Sequence, residues 1–210
     1  MSTKGPTLKL LQRAGAAIAS AALVLSLTAC SGDSQPQDST ATNAATDTQS
    51  SARESSGAVS VTDAAGRTLD FNEHPDRIVL AEGRAVYATA ALQDDPFDHV
   101  VAYGEDLTSA APSFKEMLLK QFPEAKDLPT IGSIQKGDVT VENLLAQDPD
   151  VVVMTLDQKK AAEESGFLAD MDSAGLQYAF IDFRQDPLEH TAASMSLLGG
   201  LLDKDERAAK

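Results

Sequence analysis

The chain has 210 residues, 17 Lys+Arg against 32 Asp+Glu, and a formal net charge of −15. Such an acidic balance excludes a phosphate-binding surface of the kind nucleic acids need, and it excludes a polybasic membrane patch. It is the charge of a solubilising surface and identifies no ligand.

The first thirty residues read as an export signal. Lys4, Lys9 and Arg13 form a basic start, and Ala14 to Leu27 is an uncharged run of apolar and small residues. That run is shorter than the roughly 20 residues that span a bilayer, and it has the size of a signal-peptide core. It ends in Leu27-Thr28-Ala29-Cys30, which resembles the bacterial lipobox. The resemblance implies cleavage after Ala29 and a diacylglyceryl group on Cys30, hence residues 1–29 as signal peptide and a lipid-anchored chain on the outer face of the cell membrane. Cys30 is the only cysteine, so no internal disulfide can form. Cleavage would leave 14 basic residues against 32 acidic ones, a net charge of −18.

Residues 30–57 follow as a tether. Beyond Cys30 the segment is almost wholly Ser, Thr, Asp, Gln, Asn, Ala and Gly, with nothing to bury, so it is expected to stay disordered. As a flexible coil of about 27 residues it would reach roughly 25–30 Å.

The folded part is expected over 58–185. Val59 to Thr62 and Arg67 to Phe71 alternate around Asp63-Ala64-Ala65-Gly66, which predicts a hairpin. Arg77 to Ala81 is a short apolar run of the kind buried on both faces of a parallel sheet. Helices are then predicted over 85–92, 113–122 (with Phe114, Met117, Leu118 and Phe122 on one side), 141–146 and 158–174. Strands are predicted over 99–103, 130–132, 150–154 and 177–181. Strands alternating with helices predict an α/β fold, a parallel sheet with helices on both faces. Asp186-Pro187 opens a last helix, expected as one long element over 188–210 with Met195, Leu198, Leu201 and Leu202 on its apolar side, an exposed stripe.

The order of local patterns resembles the substrate-binding proteins of ABC importers for ferric siderophores, haem and cobalamin. It lies in Val61-Thr62-Asp63-Ala64-Ala65-Gly66-Arg67, Pro75-Asp76-Arg77-Ile78-Val79, Leu128-Pro129-Thr130-Ile131-Gly132, the run Val141 to Val153, and Asp186-Pro187 with Leu197-Leu198-Gly199. The run Glu142-Asn143-Leu144-Leu145-Ala146-Gln147-Asp148-Pro149-Asp150-Val151-Val152 is the most specific of these. The resemblance covers Val59 to Lys210. It implies two α/β lobes joined by a long helix, so the chain reads as the first lobe, with 186–210 the start of that helix and a second lobe expected beyond it. It implies a binding role and no enzyme activity, with an importer permease and a small iron chelate as partners and no resident cofactor or metal. A ferric siderophore is the default cargo, with haem or cobalamin as alternatives. A glutamate early in the helix after the Val-rich strand would dock on the permease, and Glu163 and Glu164 are the matching region.

In open α/β sheets ligand sits beyond the carboxyl ends of the strands. The residues there are Glu82-Gly83-Arg84, Tyr103-Gly104-Glu105, Gly132-Ser133-Ile134, Thr155-Leu156-Asp157 and Asp182-Phe183-Arg184. The candidate ligand contacts are Glu82, Arg84, Tyr87, Ser133, Phe183 and Arg184. A guanidinium offers a planar fork for carboxylate or catecholate oxygens, and the competing role of each arginine is an ion pair in an acid-rich protein. Gly83, Gly104 and Gly132 read as turn residues. A catalytic alternative finds little support: His74, His99 and His190 are scattered, and G-x-S-x-G, Walker and G-x-G-x-x-G patterns are missing. A carboxylate-based hydrolase, or a lipid-anchored scaffold or adhesion domain or inactive fragment without a small ligand, are the competing readings.

Overall fold

The structure, a computed structural model, describes residues 57–210. The expected signal peptide, Cys30 and the tether up to residue 56 lie outside the described residues.

The hairpin forms as its alternation predicts. Strands β1 (Val59–Thr62) and β2 (Thr68–Phe71) pair antiparallel, with Val59 opposite Phe71 and Val61 opposite Leu69. Val59, Val61 and Leu69 face inward and are buried. Asp63 organises the turn. Its Oδ1 accepts the Ala65 and Arg67 N–H groups at 3.0 and 2.9 Å, and its Oδ2 accepts Arg67 Nε and Nη2 at 3.0 and 2.8 Å.

Five further strands make one parallel sheet. They are β3 (Ile78–Leu80), β4 (Val100–Gly104), β5 (Thr130–Ile131), β6 (Val151–Thr155) and β7 (Tyr178–Ile181), in the order β5-β4-β3-β6-β7. The hairpin turn closes the β7 edge: Ala64 N–H donates to the Phe180 carbonyl at 2.8 Å, and Phe180 N–H donates to Asp63 Oδ2 at 3.2 Å. Unpaired strand groups are thereby covered.

Strand side chains alternate between two buried layers, as a parallel sheet requires. Ile78, Leu80, Val151, Val153, Ala179 and Ile181 enter one layer. Helices α1 (Val86–Leu92), α2 (Asp106–Ala110), α3 (Pro112–Gln121) and α7 (Pro187–Leu201) contribute Val86, Leu92, Leu107, Leu118, Leu197, Leu198 and Leu201 to it. Val79, Val152, Met154, Tyr178 and Phe180 enter the other layer. There α4 (Val141–Leu145), α5 (Leu156–Glu164) and α6 (Phe167–Ser173) supply Leu144, Ala162, Phe167, Leu168 and Met171. The α/β class, with helices on both faces and a long last helix, is therefore as the sequence predicts.

Three helix expectations are corrected. The single helix expected over 158–174 is two helices, because Gly166 takes a left-handed conformation (φ 80°) that no helix interior contains. The last helix stops at Leu201 and does not run to Lys210. Asp203 is left-handed (φ 55°), and a short helix α8 (Asp205–Ala208) folds back. Gly199 makes that possible, since a Cβ there would lie 2.5 Å from Ala208 Cβ; Gly200 instead admits β1, its Cβ position lying 2.7 Å from Val61 Cγ1. The apolar stripe of this helix is accordingly not exposed, since Leu197, Leu198, Leu201 and Leu202 are buried in the lobe's own core. In α3, Met117 faces solvent while Leu118 is buried, so Met117 leaves the expected apolar side. The short α2, with Leu107 as its one buried residue, has too brief a pattern for the sequence to reveal.

Candidate functional site at the carboxyl edge of the sheet

Strand order runs outward from β3 through β4 to β5, then resumes on the other side with β6 and β7. The connections after β3 and β6 therefore leave in opposite directions and open a crevice between their carboxyl ends. Gln158 spans that point. Its Oε1 accepts Thr155 N–H at 3.0 Å, and its Nε2 donates to the Ala81 carbonyl at 3.1 Å.

Glu82 emerges from β3 into this crevice and is buried. Arg184, from the loop after β7, donates Nη1 and Nη2 to its two oxygens at 2.8 Å each. Arg184 also hydrogen-bonds Asp157 at the start of α5. Arg84 Nη2 meets Glu82 at 2.8 Å and its Nε meets Asp106 at 2.9 Å. Five side chains from four connections thus form one network, with three carboxylates to two guanidiniums. Burial raises the Glu82 pKa, against the lowering pull of Arg184 and Arg84. Burial pulls the Arg84 pKa down, but Asp106 and Glu82 outweigh it and the net shift is upward.

Two close backbone approaches fix the geometry. A Cβ at Gly83 would lie 2.2 Å from the Gly104 carbonyl oxygen, and one at Gly104 would lie 2.7 Å from the Ala81 carbonyl oxygen. The Gly83 N–H donates to Asp106 Oδ1 at 2.6 Å. These glycines serve contact between the β3 and β4 connections and not a left-handed turn, as neither has positive φ. Gly132 is similar, with its Cβ position 2.7 Å from Asp138 Cβ.

The loop carrying Arg184 is held by Asp182. Its carboxylate accepts the N–H groups of Arg184, Gln185 and Asp186 at 2.9, 2.8 and 2.9 Å, and meets His190 Nδ1 at 2.8 Å. Burial opposes the Asp182 charge, but those three N–H groups and His190 hold its pKa well below the usual carboxylate range. Asp182 in turn raises the His190 pKa.

Beside the network lies a cavity of about 390 Å³. Ala85, Tyr87, Ala88, Phe183, Met195 and Ile181 give it a largely apolar wall, and Glu82, Arg84, Asp182 and Arg184 a polar rim. Tyr87 is exposed, with its ring centroid 4.3 Å from that of Phe114. Thr155, also in the lining, is buried at the start of α5.

Five of the six predicted contacts (Glu82, Arg84, Tyr87, Phe183 and Arg184) therefore line one cavity. Ser133 lies in a neighbouring depression that shares Glu82, Arg84 and Arg184. Both arginines arrive at the edge already paired with carboxylates. Asp106, Asp157, Thr155 and His190 complete the site and were missing from the predicted contacts. Asp157, Thr155 and Asp182 stood in the expected edge loops, whereas Asp106 and His190 gave no local signal. Glu163 and Glu164 are exposed in the last turn of α5, paired with Lys159 at 2.5 Å and Lys160 at 3.7 Å. They do not stand early in a long helix, because Gly166 ends that helix. Among the described residues no group of three or more His, Cys, Asp and Glu is arranged to hold a metal, and no helix is long and apolar enough to cross a membrane.

Arg184→Ala would leave the buried Glu82 with Arg84 alone. We expect a loss of about 1–3 kcal/mol of stability, the range for charged hydrogen bonds. Urea denaturation checks it, and an unchanged midpoint would mean the network is too solvated to matter.

The fold and this crevice define an architecture: a parallel α/β lobe with a crevice at the switch point of its sheet. No protein-family model and no curated protein matches the chain. Among solved structures it is similar to the TroA-like periplasmic binding protein FepB from Veillonella parvula, at 28% identity and TM-score 0.66, over 72% of this chain and 44% of that one. It is also similar to a periplasmic solute binding protein from Veillonella parvula DSM 2008, at 21% identity and TM-score 0.57, over 73% of this chain and 43% of that one. A third likeness, in fold alone, is to the siderophore binding protein BauB bound to two acinetobactin molecules and ferric iron, at 18% identity and TM-score 0.50, over 72% and 48%. The chain thus spans less than half the length of each. All three are described as binding proteins.

Proposed function

We propose that this chain provides a solute-binding lobe of an ABC importer, held outside the cell by a lipid on Cys30, with a ferric siderophore as cargo. The observation that carries the reading is the position of the cavity. It lies beside the switch point of a parallel sheet, where this architecture collects ligands, and it has aromatic and aliphatic walls with a charged rim. The likeness to a TroA-like periplasmic binding protein, and in fold to a siderophore binding protein described as bound to a ferric complex, supports the same reading. Glu82, Arg84, Tyr87, Ser133, Phe183 and Arg184 would contact the ligand, and Glu163 or Glu164 would meet the permease.

The test is titration of the purified chain with ferric siderophores, haem and cobalamin, read by calorimetry. Saturable binding of a ferric siderophore is expected, and no response to any of them would favour a scaffold. Tyr87→Ala should weaken binding by about 1–2 kcal/mol through lost aromatic contact. Equal affinities would remove Tyr87 from the site. Metabolic labelling with a radioactive fatty acid, abolished by Cys30→Ser, tests the anchor.

A further inference from the structure

We propose that this edge is built for a ferric chelate of zero or positive net charge and disfavours polyanionic chelates. The inference rests on the ligand-binding reading above and narrows it to a charge class.

The first ground is the occupancy of the guanidiniums. Arg184 spends both terminal nitrogens on Glu82 and reaches Asp157 as well. Arg84 is divided between Glu82 and Asp106. An anionic ligand that took either fork would leave Glu82 short of a partner in a buried place, where an unpaired charge is costly. The second ground is the sign of the residual charge. Glu82, Asp106 and Asp157 outnumber Arg84 and Arg184 by one. The nearest further pairs bring no cationic surplus: Lys136 stands 3.6 Å from Glu105, and His190 is matched by Asp182. Asp186 and Glu189, exposed beside that loop, add negative charge. A trianion would meet a repulsive field, and a cation an attractive one. The third ground is the lining of the cavity. Its walls are largely apolar, which suits a chelate of low charge carried on an alkyl or ring skeleton.

Three probes separate the outcomes when titrated against the full chain at low and high salt: a ferric trihydroxamate bearing a free ammonium group, an uncharged ferric trihydroxamate, and a trianionic ferric tris(catecholate). We expect the first two to bind at least about tenfold tighter than the third at low salt, with the cation's advantage over the trianion shrinking as salt screens the site. Asp157→Asn, at a partly exposed position, should narrow the difference between cation and trianion. Tightest binding of the trianion would overturn the charge assignment and leave the binding function standing. A preference unaffected by both salt and Asp157→Asn would overturn it as well. Failure of all three probes, with haem and cobalamin also inert, would remove the binding function itself and this inference with it.

Discussion

Gly83→Ala is expected to cost about 3 kcal/mol or more of folding stability and to disorganise the carboxyl edge. A Cβ there would lie 2.2 Å from the Gly104 carbonyl oxygen and 2.8 Å from Leu107 Cβ. The first neighbour is backbone at the end of β4, so no side-chain rotation relieves the clash. Overpacking in a well-filled interior costs typically about 1–3 kcal/mol, and this contact belongs at the upper end. Separation of the β3 and β4 connections would also lengthen the Gly83 N–H bond to Asp106 and loosen Arg84. Gly66→Ala is the useful comparison. Gly66 has positive φ (78°) but open space around its Cβ position, so that substitution should cost only about 1–2 kcal/mol of backbone strain. Urea denaturation of both variants distinguishes the causes. Equal losses would mean that the β3–β4 connection yields easily and that the glycine is not required by contact.

Asp182→Ala is expected to lose about 2–4 kcal/mol, because three loop N–H groups and His190 lose one buried acceptor together. The same residue sets a pH dependence whose sign follows from the shifts. Asp182 is held below its ordinary 3.8, so its contribution is present above that pH and is lost as pH falls toward the folded-state value. His190 is held above its ordinary 6.5, so its contribution is present below 6.5 and is lost as pH rises through the raised value. Both are in force between those two limits. Denaturation midpoints measured from acid to neutral pH should therefore fall on the acid side in the natural chain. Asp182→Asn should flatten that acid limb. An identical acid limb in Asp182→Asn would assign it to other carboxylates. Because this loop presents Arg184 to Glu82, either variant should also alter affinity for the proposed ligand.

The parts of the fold that were legible in the sequence share one property: their signal is local. Val151-Val152-Val153 is β-prone whatever surrounds it, and β6 stands there. Thr140 with Asn143 forms a capping box at the start of α4, where the sequence places a helix start. Gly175 closes α6 as expected. The failures came where a local pattern has two outcomes. An apolar stripe on a terminal helix reads the same whether it meets a partner or its own lobe. A glycine between two helical stretches reads the same whether it is tolerated or breaks them, and Gly166 breaks them.

By itself the sequence determined the alternation of strands and helices, the parallel sheet it implies, and which loops gather at its carboxyl edge. Those follow from the periods of apolar residues and from the handed geometry of the backbone, which act over a few residues at a time. Only the tertiary structure decided the partners: that Arg84 and Arg184 converge on one buried glutamate, that Asp106 reaches back to the turn after β3, and that α8 folds onto Gly199 of α7. Such pairings join residues up to 102 positions apart, as with Glu82 and Arg184, and their geometry depends on strand order. No local pattern of residues encodes that order, because it is settled when the two layers close over the sheet.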